Sequence, residues 1–172
     1  MAVPTAACLV RMIGMAAHAS QSGQVLEYRR GQLLISTDPA RIDLHVVHGF
    51  LTQSYWANGI SPEIVQRSVM NSLCFGVYAG KQQVGFARVI SDYATYAYIG
   101  DVFVLDSHRG LGLGTWLMEC IMRHPSLQGL RRWSLVTRDA HALYTRFGFM
   151  PLKNPSRWME IHHPDVYEKP SS

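Results

Sequence analysis

Arg109-Gly110-Leu111-Gly112-Leu113-Gly114 puts three glycines at alternate positions directly behind an arginine. Glycine carries no Cβ, so a backbone built this way can approach a ligand closely and adopt positive φ. The β-rich stretch Gly100–Leu105 precedes the run, and an apolar-periodic stretch follows it, so the loop joins a strand to a helix. A helix start presents unpaired N–H groups and about half a positive charge, which suits an anion. Arg109 adds a full charge at the loop entry, and Thr115 adds a hydroxyl. The chemistry that this arrangement can do is to hold a phosphate; the alternative is a glycine-rich connecting turn. Two other nucleotide loops fit worse. A Walker loop needs Gly-Lys-Ser/Thr and there is no lysine here, whereas a dinucleotide fingerprint places its third glycine where Thr115 stands and wants an acid near residue 134.

Other chemistry-bearing residues gather less well. His45 and His48 lie three apart on a helical segment and His162-His163 are adjacent, but neither pair has companion ligands, so no metal is expected. Cys8, Cys74 and Cys120 are far apart, with no CxxC pair. That excludes a disulfide framework or a cysteine zinc site and suits a reducing, cytoplasmic compartment.

Composition bounds the rest. A chain of 172 residues with 48% hydrophobic and 16% charged residues is long enough for one domain with a real core. The net charge is +4, and Asp106–Arg157 holds eight Arg or Lys against three Asp or Glu, which would draw an anionic small molecule there. The longest basic run is Arg131-Arg132, so nucleic acid is not the expected partner, although a basic nucleic-acid-binding domain is a rival class. The apolar stretch Ala6–Ala17 is interrupted by Arg11 and falls short of the ~20 residues of a membrane span; no membrane partner is expected. Ala17-His18-Ala19 resembles a signal cleavage site. The preferred reading of residues 1–25 is a flexible extension, or a start assigned upstream of Met12 or Met15. The folded domain is then 26–172.

The elements that position the glycine loop follow from pattern. Glu27–Ser36 reads as a first strand interrupted at Arg30-Gly31. Asp38-Pro39 and Ser61-Pro62 each read as a capped helix start. Leu73–Tyr78, Val84–Ile90 and Thr95–Leu105 read as an antiparallel meander with turns at 79–82 and 91–93. A helix over Gly112–Arg123, a strand over Trp133–Val136, a helix capped by Asp139 and ended by Gly148, and a last strand over Arg157–His162 complete the order. The fold class is a mixed-sheet α/β single domain.

Arg109–Gly114 matches the Arg/Gln-x-x-Gly-x-Gly/Ala motif of the GNAT superfamily of N-acetyltransferases. Downstream, Ala142-Leu143-Tyr144-Thr145-Arg146-Phe147-Gly148-Phe149 resembles that family's Leu-Tyr-x-x-x-Gly-Phe element. The likeness covers roughly Leu34 to Trp158. It implies a mostly antiparallel mixed sheet with flanking helices and a splayed central strand pair, with acetyl-CoA as co-substrate and no metal. By the same resemblance, Val102, Phe103 and Val104 pair with the pantetheine arm. The amides of Gly110, Leu111, Gly112, Leu113, Gly114 and Thr115, with Arg109, hold the pyrophosphate. Tyr144 is implied as the donor to the departing thiolate, because a hydroxyl of ordinary pKa about 10 near a sulfur is a suitable acid. Asp101 is a candidate base, with a water chain or a merely strand-edge carboxylate as alternatives. Tyr55, Trp56 and Arg88 are candidate acceptor contacts. Many relatives carry asparagine seven residues before the tyrosine, where this chain has Thr137. The implied activity is acetyl transfer to a primary amine of a small molecule, peptide or protein; the alternative is a catalytically silent acyl-CoA sensor or partner module. A homodimer is compatible with the resemblance, but no interface is legible.

Overall fold

The computed structural model describes residues 24–167, so all but two of the residues in the expected extension 1–25 lie outside it. Among the described residues six strands form one sheet in sequence order: β1 (Glu27–Arg30), β2 (Leu33–Ser36), β3 (Leu73–Ala79), β4 (Gln82–Ser91), β5 (Tyr96–Val104) and β6 (Arg132–Ser134). All neighbours are antiparallel except β5 and β6, which run parallel. Helices α1 (Leu44–Leu51) and α2 (Pro62–Met70) connect β2 to β3. Helix α3 (Leu113–Met122) connects β5 to β6, and α4 (His141–Thr145) follows β6. The result is a mixed, mostly antiparallel α/β sheet flanked by helices, as the motifs imply.

Alternation along the strands assigns residues to two cores. On one face Phe75, Val89, Ala97 and Ile99 pack with Leu113, Leu117, Cys120 and Ile121 of α3. On the other, Cys74, Phe86 and Phe103 pack with Val47 and Leu51 of α1 and Val65 of α2.

Several boundaries differ from expectation for local reasons. The strand expected over Glu27–Ser36 is a hairpin, because Gly31 at φ +58 lets Arg30 pair with Leu33. Asp38-Pro39 opens only a single 3-10 turn; Ile42 is extended, and Asp43 caps α1 by accepting from the amides of His45 (2.9 Å) and Val46 (3.2 Å). Ser61 caps α2 as expected. Asp139 does not cap α4: Thr137 Oγ1 accepts from the Ala140 amide at 3.0 Å, and the helix has only five residues. The last strand expected over Arg157–His162 does not form. The amides of Arg157 and Trp158 are used inside a 3-10 turn by Asn154 and Pro155 carbonyls, and β6 offers only three residues to pair with. Met159 in that segment is 94% exposed.

Two irregularities shape the centre of the sheet. Strand β6 pairs with β5 only at Tyr96–Tyr98, so beyond Tyr98 the outer edge of β5 splays away from its neighbour. On the inner side the β4–β5 register shifts: Phe86 faces Phe103, and Arg88 faces Gly100. Strand β5 therefore holds one extra residue, a β-bulge, and Asp101 stands there at φ +53.

Candidate functional site

The glycine run forms the end wall of the site. Gly110 (φ +79) and Gly112 (φ +73) are both left-handed, and Gly112 caps α3. A Cβ at either would meet nothing within 4 Å, so it is the backbone angle and not crowding that requires glycine. The first helical bond runs from the Trp116 amide to the Gly112 carbonyl at 3.0 Å. The amides of Leu113, Gly114 and Thr115 thus lack intrahelical partners and face the helix start. Leu113 gives the site only its amide, since its side chain is in the core, whereas Leu111 is 63% exposed. Arg109 Nε donates to the Val104 carbonyl at 3.2 Å, which ties the loop entry to the end of β5. Arg146 Nη1 donates to Thr115 Oγ1 at 3.2 Å and adds a second cation beside the cradle.

From this wall a groove of about 940 Å³ runs along the splayed edge of β5. Val102, Phe103, Val104, Arg109 and Gly114 line one side, Tyr144 the other, and Tyr55 and Trp56 the far end. These features fit an acyl-CoA: left-handed glycines with open Cβ positions, three unbonded helix-start amides and a strand edge without a partner beyond Tyr98. Phe103 is fixed by Phe50 of α1, stacked at 3.9 Å and 8°.

Tyr144 is 8% exposed and lines the groove. Burial first, and then the neighbouring Tyr55, Tyr98 and Asp139, push its pKa up to about 12. Its hydroxyl has no hydrogen-bond partner among the described residues, and a phenol with so high a pKa is protonated at neutral pH. Burial, and then the Asp101 charge, also raise the Tyr98 pKa.

Asp101 and Arg88 sit beside the groove and not in its lining. The Asp101 carboxylate is ion-paired with Arg88 Nε, and its other oxygen accepts from Trp56 Nε1 at 3.2 Å. Tyr55 meets Trp56 edge-to-face at 4.9 Å. Its hydroxyl accepts from the Arg138 amide at 3.1 Å, and the Arg138 guanidinium lies 3.8 Å above its ring. The loop after α1 is therefore clasped to the loop before α4. His45 lines the groove alone, and His48 Nε2 contacts the Ile60 carbonyl at 3.1 Å. No cluster of three or more His, Cys, Asp or Glu able to hold a metal occurs among the described residues.

The sequence reading missed Phe50, Arg138 and Arg146. Arg146 stood inside a quoted motif, and its place two residues after Tyr144, at the end of α4, was the available signal. Phe50 carried none beyond its helical stripe.

A family model described as "Acetyltransferase (GNAT) domain" matches residues 70–151. A protein of Gibberella zeae assigned as an acetyltransferase is 30% identical over 140 residues, 68% of this chain and 78% of its own length. A Xanthomonas campestris pv. campestris structure, assigned to the same family, is 51% identical with a TM-score of 0.78, covering 80% of this chain and 97% of its own. A Clostridium acetobutylicum acetyltransferase crystallised with acetyl-CoA shares the fold at 14% identity, with a TM-score of 0.56 over 76% of this chain and 94% of its own. The glycine cradle at the start of α3, the splayed edge of β5 and these likenesses agree: the chain belongs to the GNAT family of acetyltransferases.

Proposed function

We propose that the protein moves an acetyl group from acetyl-CoA to a primary amine of a small molecule, peptide or protein. One observation carries this reading: the largely buried Tyr144 lines the groove between the phosphate cradle and the aromatic end wall, and its hydroxyl has no hydrogen-bond partner among the described residues. The Clostridium relative crystallised with acetyl-CoA supports the choice of donor.

Acetyl-CoA, when bound, supplies an activated acetyl carbon. The amides of Gly110–Thr115, with Arg109 and Arg146, hold its pyrophosphate by charge and helix-start donors. The outer edge of Val102–Val104 pairs with its arm, and a backbone N–H there steadies charge developing on the thioester oxygen. The amine nitrogen forms a bond to the acetyl carbon, the carbon–sulfur bond breaks, and the proton that the nitrogen gives up goes to the sulfur. Tyr144 acts at that last step. A phenol held up to about 12 stays protonated at neutral pH and donates a hydrogen bond to the departing sulfur. With an ordinary thiol near 8.5, outright transfer runs uphill, so a proton released by the nitrogen must replace the one Tyr144 shares. Tyr55 and Trp56 form the acceptor's wall.

Calorimetry with acetyl-CoA, followed by a panel of amines assayed for release of free coenzyme A, tests the reading. Binding that survives added salt, together with turnover of at least one amine class, is the expected result. Binding without turnover of any amine would leave an acyl-CoA sensor. No binding would remove both readings.

A further inference from the structure

Asp101 and Tyr93 are the two non-glycine residues at positive φ among the described residues. A side-chain-bearing residue persists in that region only where its surroundings hold it there, and such positions concentrate at functional sites. Asp101 is also the extra residue of the β5 bulge, and bulges re-aim side chains beside active sites. What it is aimed at is specific. One carboxylate oxygen takes Arg88 Nε and the other takes Trp56 Nε1 at 3.2 Å, while Arg88 Nη1 reaches Ser72 Oγ at 3.4 Å. Trp56 packs on Tyr55, and Tyr55 is held by the Arg138 amide. A continuous polar and aromatic chain thus links the start of β3, strands β4 and β5, the loop after α1 and the loop before α4.

This arrangement is poor for a base. The side chains of Arg88 and Asp101 are 19% and 10% exposed. A proton placed on Asp101 would leave a largely buried guanidinium without its counter-charge. The same arrangement is good for holding a loop in place, since a charge-assisted bond is directional and strong.

Resting on the acetyl-transfer reading of the same groove, we propose that Asp101 is a positioning residue. It latches the Tyr55–Trp56 loop to the bulge of β5 and so governs how tightly the acceptor amine is held.

The test uses Asp101→Asn, which keeps a short side chain tolerant of positive φ, and Trp56→Phe, which keeps the ring and removes the N–H donor. Hydrogen exchange of amides 53–58 is read on the full chain without any ligand. Each variant should speed exchange there by about tenfold, the scale of one charge-assisted bond, and the double variant should add little to either. With an amine identified in the panel, its KM should rise by a similar factor in both single variants. The acetyl-CoA affinity and kcat should hold within about twofold, and the effects on KM should be non-additive. Should Asp101→Asn misfold, Trp56→Phe carries both readouts alone. Unchanged exchange overturns the proposal. So does a collapse of kcat in Asp101→Asn, with loss of the acidic limb of the pH profile while Trp56→Phe is silent; that result makes Asp101 a base. If no amine is turned over, the acetyl-transfer reading falls, whereas the exchange measurement still decides the latch.

Discussion

The two ends of the groove are built from different materials. The phosphate end is backbone: left-handed Gly110 and Gly112 and the free amides of a helix start within a run of six residues. The acceptor end is side chain: Tyr55, Trp56, Arg88, Asp101 and Arg138 come from four separate segments and hold one another by an ion pair, two hydrogen bonds and ring contacts. A backbone cradle depends on φ and fails when φ is made costly. A side-chain wall depends on its mutual bonds, and each one can be removed with the fold intact. This difference makes the glycine end sensitive to backbone angle and the aromatic end sensitive to single side-chain changes.

Tyr144, between the two, should show the largest effect. Tyr144→Phe is expected to lower kcat by about 10² while the acetyl-CoA dissociation constant stays unchanged, measured by steady-state assay and calorimetry on the same protein. Normal turnover would erase the division of labour along the groove. Next comes the cradle. Gly112→Ala keeps its Cβ clear of neighbours but must hold φ +73, at a cost of about 1–2 kcal/mol. Its acetyl-CoA affinity should fall roughly tenfold, with a melting point a few degrees lower. Gly114→Ala is the contrast: its Cβ would sit 3.7 Å from Leu143 Cδ2, an ordinary contact in a helix. Thermal stability should rise by about 0.5–1 kcal/mol, and a melt equal to that of Gly112→Ala would show that crowding and not φ rules the cradle. At the acceptor end, Tyr55→Phe removes the acceptor of the Arg138 amide. Raised acceptor KM by about two- to tenfold, with donor affinity unaffected, is the outcome that keeps the two ends independent.

The smallest effect lies outside both ends and serves as their control. His124 is buried, its Nδ1 accepts from the Ser126 amide at 3.3 Å, and its Nε2 has no partner among the described residues. Burial lowers its pKa. The unfolded chain, near 6.5, therefore takes up a proton before the folded one, and stability falls as pH drops below about 6.5. Urea melts at pH 7 and pH 5 should show this slope, and His124→Asn, which can still accept from Ser126, should flatten it without changing acetyl-CoA binding.

These two building styles also explain what could be read in advance. The meander, the Ser61-Pro62 helix start and the glycine loop were legible, because caps, turns and glycine loops are local and carry their own residue types. The Asp101–Trp56 bond spans 45 residues and the Tyr55–Arg138 bond 83, and no local pattern announces either. Tyr55, Trp56, Arg88 and Asp101 were singled out individually, but not as one connected wall. Tyr144 came from the family motif, and its position between the ends from the fold. The strand expected over Arg157–His162 failed because alternation alone does not supply a partner edge. The cap expected at Asp139 failed because the helix starts at His141, which puts Ala140 in the cap position.

The extra residue in β5 has a consequence for insertions and deletions. Ala97, Ile99, Val102 and Val104 share one core, although Ile99 and Val102 are three apart. With Asp101 simply excised, those four residues would fall into strict alternation, and Arg88 and Phe86 would still face Gly100 and Phe103. The sheet can therefore be built one residue shorter, with its core in register. A single codon loss here would yield a well-folded relative that keeps Tyr55 and Trp56 but lacks the bonds that tie their loop to β5.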